Sequence, residues 1–154
     1  MNFTDEILSA ANHAGICSAY YRLCNEHQFV PGTKNRKVPY KDVLAAADGK
    51  IQLSKLPGPG TAFKSGGLPE GLTLNFIVQS GGSVEAHFAI GGVGHEQQGT
   101  FATLCNEALK QSGQPVPSPP YPRPICGSPT ELVAAFHALQ ELAVSLFGAL
   151  RGIG

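Results

Sequence analysis

The stretch 128-SPTELVAAFHALQELAVSLFGALR-151 decides the fold of this chain. Ser128 and Glu131 have the spacing of a capping box, in which the serine hydroxyl accepts from the Glu131 amide and the carboxylate reaches back to the serine amide. Pro129 suits the first helical position, where a missing N–H costs nothing. We therefore expect a helix about 30–35 Å long at 1.5 Å per residue. Its apolar residues recur at spacings of three and four and predict one continuous face: Leu132, Val133, Phe136, Leu139, Ala143, Leu146, Phe147 and Leu150.

The opposite side of this helix is poor in charge. Between Ser128 and Arg151 only Glu131, Glu141 and Arg151 itself are charged. A fully solvated helix face normally carries more charge. We therefore expect the helix to be contacted on two sides, either by the rest of the fold or by a second copy of the chain in a homodimer.

Length and composition favour one domain, 1–154, because 154 residues can bury a sizeable core without disulfides. Eleven basic and eleven acidic residues leave no net charge, so the overall field supports neither nucleic-acid nor membrane binding, and we expect neither. The start resembles no signal peptide, and no run of about eighteen apolar residues occurs, which predicts a cytoplasmic protein. The cysteines show no C-x-x-C spacing and are expected to be reduced: Cys17, Cys24, Cys105 and Cys126.

The N-terminal third is predicted to be helical. Thr4 is typical of an N-cap. The apolar stripe of the helix that follows rotates after Gly15, so this helix is expected either to bend there or to be covered on two sides, and to end near His27. A second, short helix is predicted over 40–47.

The centre of the chain predicts strands. Alternation indicates a short strand over 51–56, and the glycine- and proline-rich residues 57–71 are expected to form an ordered surface excursion. Residues 72–90 alternate apolar and polar side chains around a Ser-Gly-Gly-Ser turn, which predicts a β-hairpin with one buried face.

A further amphipathic helix is expected from Phe101 to the Ser112-Gly113 stop. Six prolines between 115 and 124 exclude a helix and favour an extended run, with an edge-strand contact around 123–126. The predicted fold is therefore α+β, with an antiparallel sheet of three to four strands packed by N-terminal, middle and long C-terminal helices.

The glycine-rich loop 91–100 raises two binding hypotheses. Gly94 and Gly99 have the spacing of a phosphate-binding loop, but the lysine that would meet the phosphate is missing. His95 and Glu96 lack the second histidine of a zinc-binding H-E-x-x-H helix. We therefore expect an ordinary strand-to-helix connection, with no metal and no cofactor.

Three residues could form an acid–base cluster on the polar face of the hairpin: Glu85, His87 and, nearby, His95. The simpler interpretation is an exposed strand face with polar residues. Cys126 is the other chemical candidate, since a thiol near a helix N-terminus can have a lowered pKa. No serine lies in a G-x-S-x-G elbow, and no residue is assigned a catalytic role.

The densest positive cluster is Lys34, Arg36, Lys37 and Lys41, around Tyr40. It fits either a solvated loop or a contact to an acidic partner, and the neutral total charge argues against nucleic acid.

The absence of a catalytic pattern favours a non-enzymatic module that binds one protein partner, of the inhibitor or immunity type that neutralises a cognate, toxin-like protein. The proline run offers a preordered surface for this purpose. The alternative is a small enzyme or ligand-binding domain that uses Glu85, His87 and His95. The residues predicted to contact the partner are Arg36, Lys37, Tyr40, Glu85, His87, His95, Glu96, Tyr121 and Arg123.

Overall fold

The computed structural model describes residues 3–28, 38–91, 96–118 and 120–153, and it confirms the α+β class. Along the chain the elements are α1 (Asp5–His13), α2 (Ile16–Glu26), α3 (Tyr40–Ala47), β1 (Leu53–Lys55), β2 (Thr61–Ser65), β3 (Leu72–Val78), β4 (Val84–Ile90), β5 (Gln97–Thr100), α4 (Phe101–Gln111) and α5 (Pro129–Ile153).

The strands form one antiparallel sheet in chain order, β1-β2-β3-β4-β5. The central hairpin is as predicted, but the sheet has five strands where three to four were expected. The segment 57–71, predicted as a surface excursion, contains β2, and the loop 91–100 contains β5. Both strands are short and lack strong apolar alternation. Their extended conformation therefore depends more on hydrogen bonding to β3 and β4 than on their own sequences.

The helix boundaries follow local signals. The predicted bend at Gly15 is a complete break, where the glycine has a φ of 69° and separates α1 from α2. The hydroxyls of Thr4 and Ser128 accept from the amides of Ile7 and Glu131, so both predicted N-caps are confirmed. The reciprocal capping-box bond differs, because the Glu131 carboxylate accepts from the amide of Gly127 and not from that of Ser128.

Helix α5 is the central element of the packing. It contacts β3 and β4 of the sheet and also α1, α2 and α3, in agreement with the predicted contacts on two sides. Within the described part of the chain, its residues Pro129–Arg151 are the one helical segment long and apolar enough to cross a membrane by length and composition. In this fold its apolar side chains form part of the core, since Leu132, Phe136, Leu139 and Leu146 are fully buried.

Three phenylalanines join α5 to the sheet. The rings of Phe136 and Phe76 are stacked with centroids 4.3 Å apart, and the ring of Phe63 lies 5.8 Å from that of Phe136. All three side chains are completely buried. Aromatic contacts of this kind add to the free energy gained by removing the rings from water.

The proline-rich segment is tied down at its end, which confirms the predicted edge contact. Ile125 forms an isolated antiparallel bridge with Ser83 at the start of β4. The amide of Val84 donates to the carbonyl of Pro124 (2.9 Å), and the amide of Cys126 donates to the carbonyl of Gly82 (2.9 Å).

We predict that Phe136→Ala lowers the free energy of unfolding by about 3–5 kcal/mol, because it removes the ring that links helix and sheet and leaves a cavity. Val144→Ala, at a position on the same helix that is 40% exposed, should change it by no more than about 0.5 kcal/mol. Urea denaturation of both variants checks this. Equal effects would show that the α5–sheet contact is not the main source of stability.

Gly82 and Gly81 provide a matched pair of substitutions, since both have positive φ. A β-carbon at Gly82 would overlap the carbonyl oxygen of Cys126, whereas one at Gly81 would meet no atom within 4 Å. We expect Gly82→Ala to lower the free energy of unfolding by at least about 2 kcal/mol more than Gly81→Ala does. The reason is that only the β-carbon added at Gly82 would push the hairpin away from the proline-rich segment. Thermal and urea denaturation measure the difference, and similar midpoints for the two variants would contradict it.

Candidate functional site

The side of the sheet that faces away from the helices carries Glu85 and His87, two of the residues predicted to be functional. Along β3 and β4 the inward residues are buried except for the half-buried Val78, and the outward ones are exposed or half-buried. The outward residues surround a shallow groove of about 490 Å³. The cross-strand register aligns them in three rows: Ala62, Ile77 and Glu85; Lys64, Asn75 and His87; Thr73, Ala89 and Gln98.

The groove combines an apolar centre with polar neighbours. Ala62, Ile77 and Ala89 give it apolar surface. Asn75 lies between them, and its side-chain oxygen is buried without a hydrogen-bond partner among the described residues. A buried acceptor without a donor costs free energy.

A network of ion-pair and hydrogen-bond contacts lies beside this groove. The Glu85 carboxylate contacts His87 Nε2 at 2.7 Å and an Arg123 guanidinium nitrogen at 3.3 Å. Arg123 also donates to the side-chain oxygen of Gln79 (3.0 Å), and Gln79 donates to Glu85 (3.4 Å). Strands β3 and β4 and the proline-rich segment thus hold these four polar side chains in one arrangement.

Among the other predicted contact residues, those that the structure describes do not join this network. Arg36, Lys37 and His95 lie outside the described residues. Tyr40 is 38% exposed beside β1, where the Lys55 ammonium lies 5.2 Å from its ring centre. Glu96 is exposed next to β5, and Tyr121 is exposed in the proline-rich segment. Of the nine residues, the structure brings together Glu85, His87 and Arg123.

The phosphate-loop hypothesis is not supported by the described part of the loop. Gly99 and Thr100 belong to β5 and pair with Phe88 and His87 of β4. The Thr100 hydroxyl accepts from the Thr103 amide and caps α4, so it is already used in the fold. Gly94 falls in the part of the loop that the structure does not describe.

A second cluster was not predicted from the sequence. His27, Cys126 and Glu131 each place one possible metal ligand atom within 4.8 Å of the other two. Glu131 Oε2 lies 2.7 Å from His27 Nδ1, and Glu131 Oε1 accepts from the Gly127 amide at 2.8 Å. His27 is about 100 residues from the other two along the chain, so no local motif relates the three.

The candidate thiol of Cys126 is not activated in this structure. Burial, together with the charge of the nearby Glu131 carboxylate, raises the pKa of the Cys126 thiol to about 12. The cost of removing a thiolate from water therefore outweighs the stabilisation that the positive N-terminal end of α5 would give it. The other three cysteines are also free and buried, as expected, and burial raises the pKa of Cys24 to about 11.

The Glu131 carboxyl behaves differently. Its partial burial opposes ionisation, but the hydrogen bonds from Gly127 and His27 and the attraction of His27 outweigh this, so the pKa of Glu131 is lowered. The ionised carboxylate is the form that joins α5 to the end of α2.

A larger hollow, of about 1000 Å³, lies elsewhere, between the end of α3, β1 and the outer side of α5. Its wall includes His137 and Glu141, which lie 3.2 Å apart on the exposed side of α5. Val144 beside them is a large apolar side chain that is 40% exposed. This is the surface that a homodimer through the C-terminal helix would use, and that association remains a prediction.

Comparison of the chain with models of known protein families, with characterised proteins and with solved structures gives no match.

We predict that Glu131→Gln destabilises the metal-free protein at neutral pH and that the effect decreases in acid. The pKa of this carboxyl is lower in the folded chain than in the unfolded one, so ionisation favours folding. That contribution is complete above the unfolded-state pKa of about 4.3 and is lost as the pH falls through the folded-state pKa.

Urea denaturation in chelator-treated buffer, from pH 7 to about pH 3, measures this effect over the range in which glutamate titrates. Glu141→Gln, at a side chain that is 69% exposed on the same helix, is the control and should have little effect at any pH. An effect of Glu131→Gln that stays constant across the range would contradict the assigned cause.

Proposed function

We propose that this protein is a non-enzymatic binding module of the inhibitor or immunity type, which neutralises one toxin-like protein partner by direct binding. The observation that supports it is the outward face of the sheet, with its apolar groove next to a fixed network of charged side chains. Protein interfaces commonly combine an apolar centre with a polar, hydrogen-bonded rim.

The size of this face agrees with a macromolecular partner. The 26 residues of the five strands, at about 3.3 Å per residue along a strand and about 4.8 Å between strands, cover about 400 Å². A standard interface buries about 800 Å² on each partner. The face therefore supplies about half of the required area, and the neighbouring proline-rich segment, with the exposed Tyr121, is available for the rest.

The charges of this face indicate the chemistry of a complementary partner surface. Glu85 already forms an ion pair with Arg123, whereas Lys64 is exposed and takes part in no ion pair among the described residues. Lys64 and His87 flank Asn75 in one cross-strand row. The partner surface that fits best places an apolar side chain over Ala89 and a carboxylate near Lys64.

The alternative is a small enzyme or ligand-binding domain built on Glu85, His87 and His95. The 2.7 Å contact between Glu85 and His87 is the observation in its favour. Against it, the Glu85 carboxylate is shared among His87, Arg123 and Gln79, which leaves it poorly placed to accept a proton from a substrate. The binding module therefore remains the preferred function.

The test uses two substitutions on the groove and two matched controls away from it. Ala89→Arg fills the groove, and Ala134→Arg adds the same side chain at an exposed position of α5. Lys64→Glu reverses a charge on the face, and Lys110→Glu reverses one at the end of α4.

The partner that co-purifies with the wild-type chain from its native cells is identified, produced and titrated by calorimetry. We expect Ala89→Arg and Lys64→Glu each to weaken binding at least about tenfold, as expected for residues at the centre of an interface. Both controls should bind within about twofold. One equivalent of wild-type protein should abolish the partner's activity.

Unchanged affinity of both groove variants, verified as folded by circular dichroism, would overturn the proposal. So would a partner whose activity is unaffected by saturating binding. Turnover of a small molecule that is lost in His87→Ala would establish the enzyme alternative instead.

A further inference from the structure

The cluster His27, Cys126 and Glu131 joins three segments that are distant in sequence. His27 follows the last turn of α2, Cys126 ends the proline-rich segment, and Glu131 lies in the first turn of α5. Their side chains supply an imidazole nitrogen, a sulfur and a carboxylate oxygen, all within 4.8 Å of one another. It is the only such group of three among the residues that the structure describes.

Backbone hydrogen bonds hold each of the three residues in place. The carbonyl of His27 accepts from the amide of Ile125 at 2.7 Å, and the amide of Cys126 donates to Gly82 at 2.9 Å. The amide of Gly127 donates to Glu131 Oε1 at 2.8 Å and turns Oε2 toward His27. The donors are therefore oriented by the fold, as the outer shell of a metal site orients its ligands.

We propose that His27, Cys126 and Glu131 bind one zinc-class divalent cation, with a fourth coordination position open to solvent. Cys126 is fully buried, whereas the side chains of His27 and Glu131 are 17% and 36% exposed. The cation would thus be reached from the side of the histidine and the glutamate.

The donor set selects the cation. A thiolate disfavours magnesium and calcium, and a combination of sulfur, imidazole nitrogen and carboxylate oxygen suits tetrahedral zinc. Metal–ligand bonds of about 2.0–2.3 Å at tetrahedral angles place the ligand atoms about 3.4–3.6 Å apart. To bind the cation, the ligand atoms of His27 and Glu131 must move apart from 2.7 Å by less than about 1 Å. The distances from the Cys126 sulfur to these two atoms must shorten by up to about 1.4 Å.

Charge balance also fits a divalent cation. Binding releases the proton of the Cys126 thiol, so a thiolate and the Glu131 carboxylate together compensate the two positive charges. The amide dipoles at the start of α5 oppose a cation, and the two anionic ligands offset that opposition. Because the cation would connect α2, the proline-rich segment and α5, it should stabilise the folded chain.

The test is a titration of tag-free, chelator-treated protein with Co²⁺, which takes the place of zinc and absorbs light. We expect one equivalent of Co²⁺ to produce a thiolate-to-cobalt charge-transfer band, and one equivalent of Zn²⁺ to remove it. Zn²⁺ should also raise the melting temperature of the wild-type protein.

Variants assign the ligands. Cys126→Ser should abolish the charge-transfer band, and His27→Gln and Glu131→Gln should each weaken Co²⁺ binding at least about tenfold. The control pair is His137→Gln and Glu141→Gln, since these residues form another histidine–glutamate contact, on the exposed side of α5. Both controls should bind Co²⁺ like the wild type.

The wild-type titration decides the proposal even if a variant fails to fold. Absence of a stoichiometric charge-transfer band in the wild type would overturn it. A band that persists in Cys126→Ser, or that is unchanged in both His27→Gln and Glu131→Gln, would do the same. None of these outcomes depends on the protein partner, so this proposal and the proposed function can fail separately.

Discussion

The packing of the apolar side of α5 against the sheet is the contact on which the rest of the structure depends. Phe136 inserts its ring beside Phe76 and Phe63, and all three are removed from water. The other helices then pack around this helix and along the same face of the sheet. Since the large apolar residues of β3 and β4 other than Ile77 point to that face, the outward face keeps mainly polar and small residues. The groove is thus a direct result of placing the helical layer on one side.

The proline-rich segment connects the two candidate sites. Its prolines prevent it from forming a helix, and so it crosses the surface as extended chain and finds hydrogen-bond partners at the start of β4 and the end of α2. This path places Arg123 against Glu85 beside the groove and, three residues later, Cys126 against His27 and Glu131. Displacement of this segment would therefore disturb the proposed partner surface and the proposed metal site together.

The two sites have different physical characters, which is why different functions are proposed for them. The outward face is broad and shallow and carries mixed polarity, which suits a protein surface more than a small molecule. The cluster at the start of α5 is compact and rich in ligand atoms, and its thiol is buried and not activated as a nucleophile. A cation there would reinforce the junction that holds Arg123, and through it the rim of the groove, in position.

The sequence by itself determined the elements whose signals are local. The Ser128 cap and the alternation over 72–90 depend on residues close in the chain, and the structure agrees with both. The interruption at Gly15 also has a local signal, but it is a break between two helices where a bend was one of the two predictions. Strands β2 and β5 were missed because four or five residues without clear alternation become strands only when a neighbour supplies the hydrogen bonds. The cluster around Cys126 and the raised pKa of its thiol were also decided by the tertiary structure, because burial and contacts across about 100 residues depend on how distant segments pack.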